Sequence, residues 1–280
     1  MRKHLCNIKI MILCIFLLGA QYITFGQAGE LDTGFGDGGL VIQSIAPYHD
    51  DVSAMAIQPD GKIVCVGRSH TDLVSMDFDG FVTRHLPDGL LDSSFGENGM
   101  LQLDYGSASD AFSDVKVLND GNILICGGST VGSNYSALMV KLSANGSYDS
   151  SFGTNGIVND TTNGNAGFIR MHIMGDGRIL TSGSNQIAPA LYMINSDGSF
   201  DSTFGTNGLV PINPQFQDLK YVNAIEDQQG KFIISGATGQ GAEQDGVIMR
   251  FNSDGTWTSH LAYKDGLLLP QATSLIGHLI

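Results

Sequence analysis

The most regular chemistry-bearing side chains in this chain are acids placed beside glycines. Asp32, Asp92, Asp149 and Asp201 recur in related segments that read LDTGFG, LDSSFG, YDSSFG and FDSTFG. A third-repeat segment places Asn195, Asp197 and Asp201 around Gly198. Oxygen ligands at alternate loop positions suit Ca²⁺, so these three residues are the candidate metal ligands. The same spacing also closes Asx turns, in which the carboxylate accepts from its own backbone two residues on. The loops lack a complete Ca²⁺ ligand set, so the turn role is the expectation, with calcium kept as the cofactor to test. Asp77 and Asp79 form a second, shorter acidic pair with the same two readings.

Phe35, Phe95, Phe152 and Phe204 recur with the acids. Four aromatics could stack on sugars, but strict periodicity and apolar bulk favour plugs between sheets. Trp257 stands where a fifth such signature is expected and is read as a core substitute. Arg84, Lys141 and Arg250 share one position, five before a turn glycine, and Met193 takes it in the third repeat. They could ring an anionic glycan; the expectation is the solvated side of a strand. The histidines after residue 27 (His49, His70, His85, His172, His260 and His278) show no HExxH spacing. No GxSxG elbow or GxxxxGK(S/T) loop occurs, and no helix follows GDGG or GENG. No catalytic residue and no bound cofactor is therefore assigned.

These side chains sit in a chain of 280 residues with 37 glycines, 15% charged residues and a formal charge of −14. Such acidity repels phosphate backbones and disfavours nucleic-acid binding. At the N-terminus, Arg2, Lys3 and Lys9 precede an apolar run, Ile10 to Ala20, and a small-residue segment near Gly26 to Ala28. That is the layout of a secretory signal peptide, expected over 1–27. The run is too short to span a bilayer, and no later stretch reaches that length, so no transmembrane segment is expected after cleavage. Losing 1–27 removes three cations and no anion, leaving −17.

The chain is built of repeats. The Phe residues are 60, 57 and 52 apart. A second signature, PDGKIVCVG, NDGNILICGG, GDGRILTSG and QQGKFIISG, carries Gly61, Gly121, Gly177 and Gly230. A third places Gly89, Gly146, Gly198 and Gly255 after Asp or Asn. Asp-Gly between alternating runs signals a hairpin, because glycine accepts positive φ. Each unit reads as four strands: a short apolar run after FGxxG (Leu40-Val41-Ile42, Met100-Leu101, Ile157-Val158, Leu209-Val210), one strand on each side of the second signature's turn, and a fourth before the next Asp-Gly. Four antiparallel strands per 52–60 residues, with no helical period, predict an all-β, propeller-like array. Units are placed at about 31–90, 91–147, 148–199 and 200–256, with a partial fifth at 257–280, inside a repeat domain spanning 28–280. In the fifth, Gly266 to Leu269 and Ala272 to Ile276 resemble the first two strands of a unit, so an open or truncated ring with exposed apolar ends is expected. Cys65 and Cys126 align one strand position apart, on opposite faces, and are expected to be buried thiols without a bridge.

The LDxSFG and QPDGKI(V/L) signatures resemble the delta-60 repeats of exported bacterial proteins, over about residues 30 to 255. The resemblance implies a propeller-like domain in a secreted, periplasmic or cell-surface protein, and it brings no assigned biochemistry. The function expected is a non-catalytic binding or scaffold propeller that presents loops to a protein or glycan. The alternatives are a polysaccharide-acting enzyme with loop carboxylates at the axis, and a nonfunctional fragment of a longer repeat protein.

Overall fold

A computed structural model describes residues 29–70, 77–105, 109–131, 134–161, 167–184, 189–212, 220–240, 243–264 and 267–268. The expected export signal and the stretch Ala272 to Ile276 lie outside the described residues, as do all side chains from Trp257 onward. By compactness the chain divides into Met1–Val41 and Ile42–Ile280.

The described part of the first unit is one copy of the LDxxFG turn. Phe35 N–H donates to Asp32 O (3.0 Å), Gly39 N–H to Phe35 O (2.8 Å) and Gly34 N–H to Asp32 Oδ1 (2.9 Å).

The second unit holds four antiparallel sheets, each with its strands in chain order. Sheet 1 is β1 (Asp50–Ile57), β2 (Ile63–His70), β3 (Phe78–His85) and β4 (Met100–Leu103). Sheet 2 is β5 (Asp110–Val117), β6 (Ile123–Val131), β7 (Asn134–Leu142) and β8 (Ile157–Asp160). Sheet 3 is β9 (Gly167–Ile173), β10 (Ile179–Ser184), β11 (Pro189–Ile194) and β12 (Leu209–Pro211). Sheet 4 is β13 (Lys220–Glu226), β14 (Phe232–Gln240), β15 (Glu243–Phe251), β16 (Trp257–Lys264) and β17 (Leu267–Leu268). No helix occurs among the described residues.

The sheets are out of phase with the order expected from sequence. The short apolar run after FGxxG does not open a new sheet; it closes the one before it, as β4, β8 and β12. Backbone bonds at the signature explain this. Asp92 N–H donates to Arg84 O (2.9 Å), and Arg84 N–H donates to Gly99 O (3.0 Å). The loop thus hands the chain back to the strand it has just left. The same pair of bonds joins Asp149 and Gly156 to Lys141, and Asp201 and Gly208 to Met193. Leu40-Val41-Ile42, expected as a strand, is none: Leu40 bridges only Gly36 and Asp37 of its own turn, and Ile42 is 93% exposed.

Where the signature is degenerate, the topology changes. With no FGxxG loop after Gly255, the chain turns there and runs straight on as β16 beside β15. Leu267 and Leu268, expected to begin a fifth unit, instead form the fifth strand of sheet 4, pairing with Lys264 and Tyr263.

Each sheet has two apolar faces, and the core lies between sheets. Val64, Val66 and Val82 of sheet 1 pack with Phe112, Val115, Ile125 and Val140 of sheet 2. Leu124, Cys126 and Met139 of sheet 2 pack with Phe168, Met171 and Tyr192 of sheet 3. Leu180, Leu191 and Met193 of sheet 3 pack with Ala224, Ile234 and Met249 of sheet 4. A sheet of under 40 residues has too little interior of its own, and stacking covers both faces. No comparable packing joins sheet 4 to sheet 1 among the described residues, so the series is open rather than a closed ring.

One core carboxylate carries a pH dependence. Asp110, fully buried at the start of β5, accepts from Tyr105 N–H (2.6 Å). Burial raises its pKa to about 6, with Asp104 and Asp79 adding repulsion. The folded value lies above the unfolded one, so its favourable contribution is complete below about pH 4 and is lost as pH rises through about 6. Asp110→Asn keeps the shape and an acceptor. It is expected to stabilise the chain by about 1–2 kcal/mol near neutral pH and hardly at all near pH 4. Urea unfolding at the two pH values measures this, and an equal gain at both would refute it.

Candidate functional site: the turn acids and the turn clefts

The signature acids are built into their own turns. Asp92 Oδ1 accepts from Ser94 N–H (3.1 Å) and from its hydroxyl (2.7 Å). Asp149 binds Ser151 in the same way, and Asp201 binds Thr203. The second oxygen takes a cation: Arg84 Nε (2.8 Å) and Lys62 (3.3 Å) on Asp92, Lys141 (3.1 Å) on Asp149, and Arg178 (2.9 Å) on Asp201. The Ser94 hydroxyl, helped by Lys62 and Arg84, holds the Asp92 carboxyl far below the usual carboxylate range. The Ser151 hydroxyl and Lys141 bring Asp149 to about 2.

Arg84 and Lys141 are therefore not on the solvated side of a strand. Arg84 is 4% exposed, lies 4.7 Å over the Phe95 ring and donates to Asp92, Ser94 and Ala144 O. Lys141 lies 5.7 Å over Phe152. Alternation along β3 and β7 reads as an inside and an outside, but a stacked sheet has an inside on both faces. In the third repeat the cation comes from elsewhere. Met193 is fully buried, and Arg178, two residues after the second signature's Asp176, reaches Asp201. In the fourth, Arg250 pairs with Asp227, which also accepts from Gln229 N–H (2.8 Å) and Lys231 N–H (2.9 Å). Asp227 thus performs the turn function at Gln228-Gln229-Gly230, two residues ahead of the aligned position, Gln229. The stray aspartate before Gln-Gln was the available signal.

Of the candidate metal ligands, Asn195 and Asp197 share one turn. Asn195 Nδ2 donates to Ser199 Oγ (3.0 Å), and Asp197 Oδ1 accepts from Ser199 N–H (2.9 Å) and hydroxyl (2.7 Å). Asp201 is engaged separately by Thr203 and Arg178. Among the described residues, no group of three His, Cys, Asp or Glu side chains is gathered as a metal-binding cluster. Asp79 accepts from Gln102 Nε2 (2.7 Å).

The other repeated residues shape the turns. Gly61, Gly121, Gly177 and Gly230 all have positive φ, from 72° to 87°. Phe95 and Phe152 are fully buried and Phe204 is 1% exposed, so these three are plugs, whereas Phe35 is half-buried. Gly146 of the next turn faces Phe95 so closely that an added Cβ would stand 2.8 Å from the ring. Gly153 N–H donates to Asp197 O (2.7 Å), linking one signature to the following turn. Cys65 is half-buried and Cys126 fully buried; both are unbridged, and burial pushes the Cys126 thiol up.

Two clefts open at these turns. One, of about 620 Å³, lies where the second-signature turns of repeats 1 and 2 meet. Its walls are Gln58, Pro59, Asp60, Asn119 and Asp120, with Arg84 and Ser94 also lining it. Gln58 Nε2 ties the walls together by donating to Gly121 O (3.1 Å). Its acids serve their own turns: Asp60 accepts from Lys62 N–H and Asp120 from Asn122 N–H. The other, of about 460 Å³, lies on sheet 3 and is lined by Tyr192, Phe200, Leu209 and Pro211 with Thr206, Asn207 and Asp160. Tyr192 is fully buried, edge-on to Phe168 with centroids 5.2 Å apart. Phe200 is half-buried, and Asn207 holds φ 53° in the FGxxG loop. Asp160 is 3% exposed and is the single acid among the described lining residues. No helix among the described residues is long and apolar enough to cross a membrane.

A family model described as a domain of unknown function (DUF5122), beta-propeller, matches residues 58–95 and 118–152. No curated protein matches the chain in sequence. Among solved structures, a hypothetical protein from Leishmania major is similar at 13% identity and TM-score 0.41, over 76% of this chain and 68% of that one. A Bombyx mori GH32 beta-fructofuranosidase, a mutant in complex with sucrose, is similar at 12% identity and TM-score 0.40, over 76% and 50%. Sqt1 of Chaetomium thermophilum is similar at 10% identity and TM-score 0.28, over 77% and 73%. The two matched stretches both run from a second-signature turn to the next FG signature, so the first two repeats of this chain are similar to a β-propeller domain of unknown function.

Proposed function

We propose that the chain is an exported, non-catalytic binding domain of the delta-60 repeat kind, secreted or held in the periplasm or at the cell surface, and that the sheet 3 cleft takes a glycan. The observation that carries this is the state of the acids. Glycoside cleavage needs two carboxylates across the scissile bond. In the sheet 3 cleft the described lining offers one, and at the repeat 1–2 cleft both wall acids serve their turns. What the sheet 3 cleft does offer is an apolar wall of Phe200, Leu209 and Pro211 opposed by Thr206 and Asn207. Apolar surface with a few placed polar groups suits a sugar ring. The metal role stays with the backbone turns: Asp197 and Asp201 already accept from hydroxyl, amide and guanidinium donors, so melting midpoints in calcium and in chelator are expected to coincide. A calcium-dependent rise in the midpoint would restore Asn195, Asp197 and Asp201 as ligands.

Calorimetry of the purified protein against a panel of soluble oligosaccharides tests the binding. Asn207→Gly, tolerated at a positive φ, is expected to weaken the best binder about tenfold, as loss of a polar partner does. Release of reducing ends from a polysaccharide, abolished by Asp160→Asn, would replace this reading with an enzyme. The intact mass of the exported protein checks removal of 1–27.

A further inference from the structure

The two outer sheets expose positions that every other repeat buries. Met55 of β1 corresponds to Val115, Met171 and Ala224, each facing the third residue of its central strand. Those three are 1%, 4% and 4% exposed, and Met55 is 67% exposed. Val52, 59% exposed, corresponds to Phe112 and Phe168, each 1% exposed. At the other end, Ile248 of β15 corresponds to Val82, Met139 and Leu191, all fully buried, and is 50% exposed. Ile225 of β13, on the same face of sheet 4, is 48% exposed.

The two exposed faces are not alike. Sheet 1 shows the face that sheets 2, 3 and 4 turn toward their predecessor, and sheet 4 shows the face that sheets 1, 2 and 3 turn toward their successor. Together they are the two halves of an interface made three times within the chain. A polar contact fits the same pattern: Met171 N–H donates to Asp114 across sheets 2 and 3 (3.0 Å). The corresponding residues at the ends are Met55 and Asn223. Exposed apolar positions whose counterparts are buried at every internal sheet contact point to an association site.

We propose that copies of this chain associate head to tail, with sheet 4 of one docking on sheet 1 of another in the geometry of the internal sheet contacts. The occupant is a second copy because each copy carries both complementary halves, and the contact continues an interface already present. Such a contact is heterologous, and it closes when the rotation between copies permits. Two copies supply eight sheets, within the range of known propeller rings. This inference is independent of the glycan reading.

Light scattering after size exclusion tests it on the purified chain and two variants, Met55→Asp and Ile248→Asp. Both positions are exposed, so both variants are expected to keep the parent's circular dichroism. The parent is expected to form species of two or more chains at micromolar concentration. Each variant has one damaged face, so each by itself is expected to dissociate at least tenfold more readily. An equimolar mixture of the two retains one intact pair of faces, Met55→Asp supplying sheet 4 and Ile248→Asp supplying sheet 1, and is expected to recover a heterodimer. A parent that stays monomeric at all concentrations would overturn the proposal, as would an Ile248→Asp variant that pairs as well as the parent, since like faces would then be meeting.

Discussion

Arg84→Met is expected to destabilise the chain by about 3 kcal/mol, at the lower end of the range for breaking a buried ion pair by removing one partner. The side chain is 4% exposed and gathers three parts of the fold: Asp92 and Ser94 of its own signature, Ala144 O of the next repeat's turn, and the face of Phe95. Methionine replaces the bulk and not the donors. Lys62, 3.3 Å from Asp92, retains part of the compensation, which keeps the loss from the top of the range. The natural comparison lies inside the same chain. Met193 holds the equivalent place in sheet 3, where Arg178, in the turn just ahead of β10, serves Asp201 instead. Adding Asp92→Asn to Arg84→Met is therefore expected to recover stability, since it removes the carboxylate left without its main partner. Urea unfolding of the two variants measures both effects. A loss under about 1 kcal/mol for Arg84→Met would mean the pair behaves as a surface salt bridge.

Phe152→Ala is expected to cost about 3–5 kcal/mol, the usual toll of emptying a fully buried aromatic site. The ring is fully buried among core residues of sheets 2 and 3 and beneath Lys141, and the next residue, Gly153, bonds the turn after β11 of sheet 3 at Asp197 O. A cavity there loosens the joint between repeats as well as one sheet. Phe35→Ala tests whether burial or sequence position sets the effect. Phe35 has the same place in its signature but is half-buried, and its loss is expected to cost about 1 kcal/mol. Equal losses for the two would show that the signature acts through its turn and not through its plug.

The acids add a pH dependence of opposite sign to that of Asp110. Asp92 and Asp149 have lowered folded values, so their contribution is present above about pH 4 and is lost as pH falls toward about 2.

The amino-acid sequence by itself determined the features that a short window of chain controls. Gly61, Gly121 and Gly177 mark hairpin turns because positive φ is a local property. Asp92, Asp149 and Asp197 close Asx turns because their partners are two residues away. Four strands per repeat, three of the four phenylalanine plugs and two thiols on opposite faces follow from period-two alternation and from aligning the repeats. Tertiary structure decided what depends on a distant neighbour. The short run after FGxxG joins the strand behind it because Asp92 and Gly99 both bond Arg84, a return path that strand propensity does not encode. Arg84 is interior because a second sheet covers the face that alternation assigns to water. Arg178 and Asp227 take over from the absent partners at Met193 and Gln229, because an ion pair needs only proximity and several positions provide it. Met55 and Ile248 are apolar like their buried counterparts, and only the absence of a neighbouring sheet among the described residues leaves them in solvent.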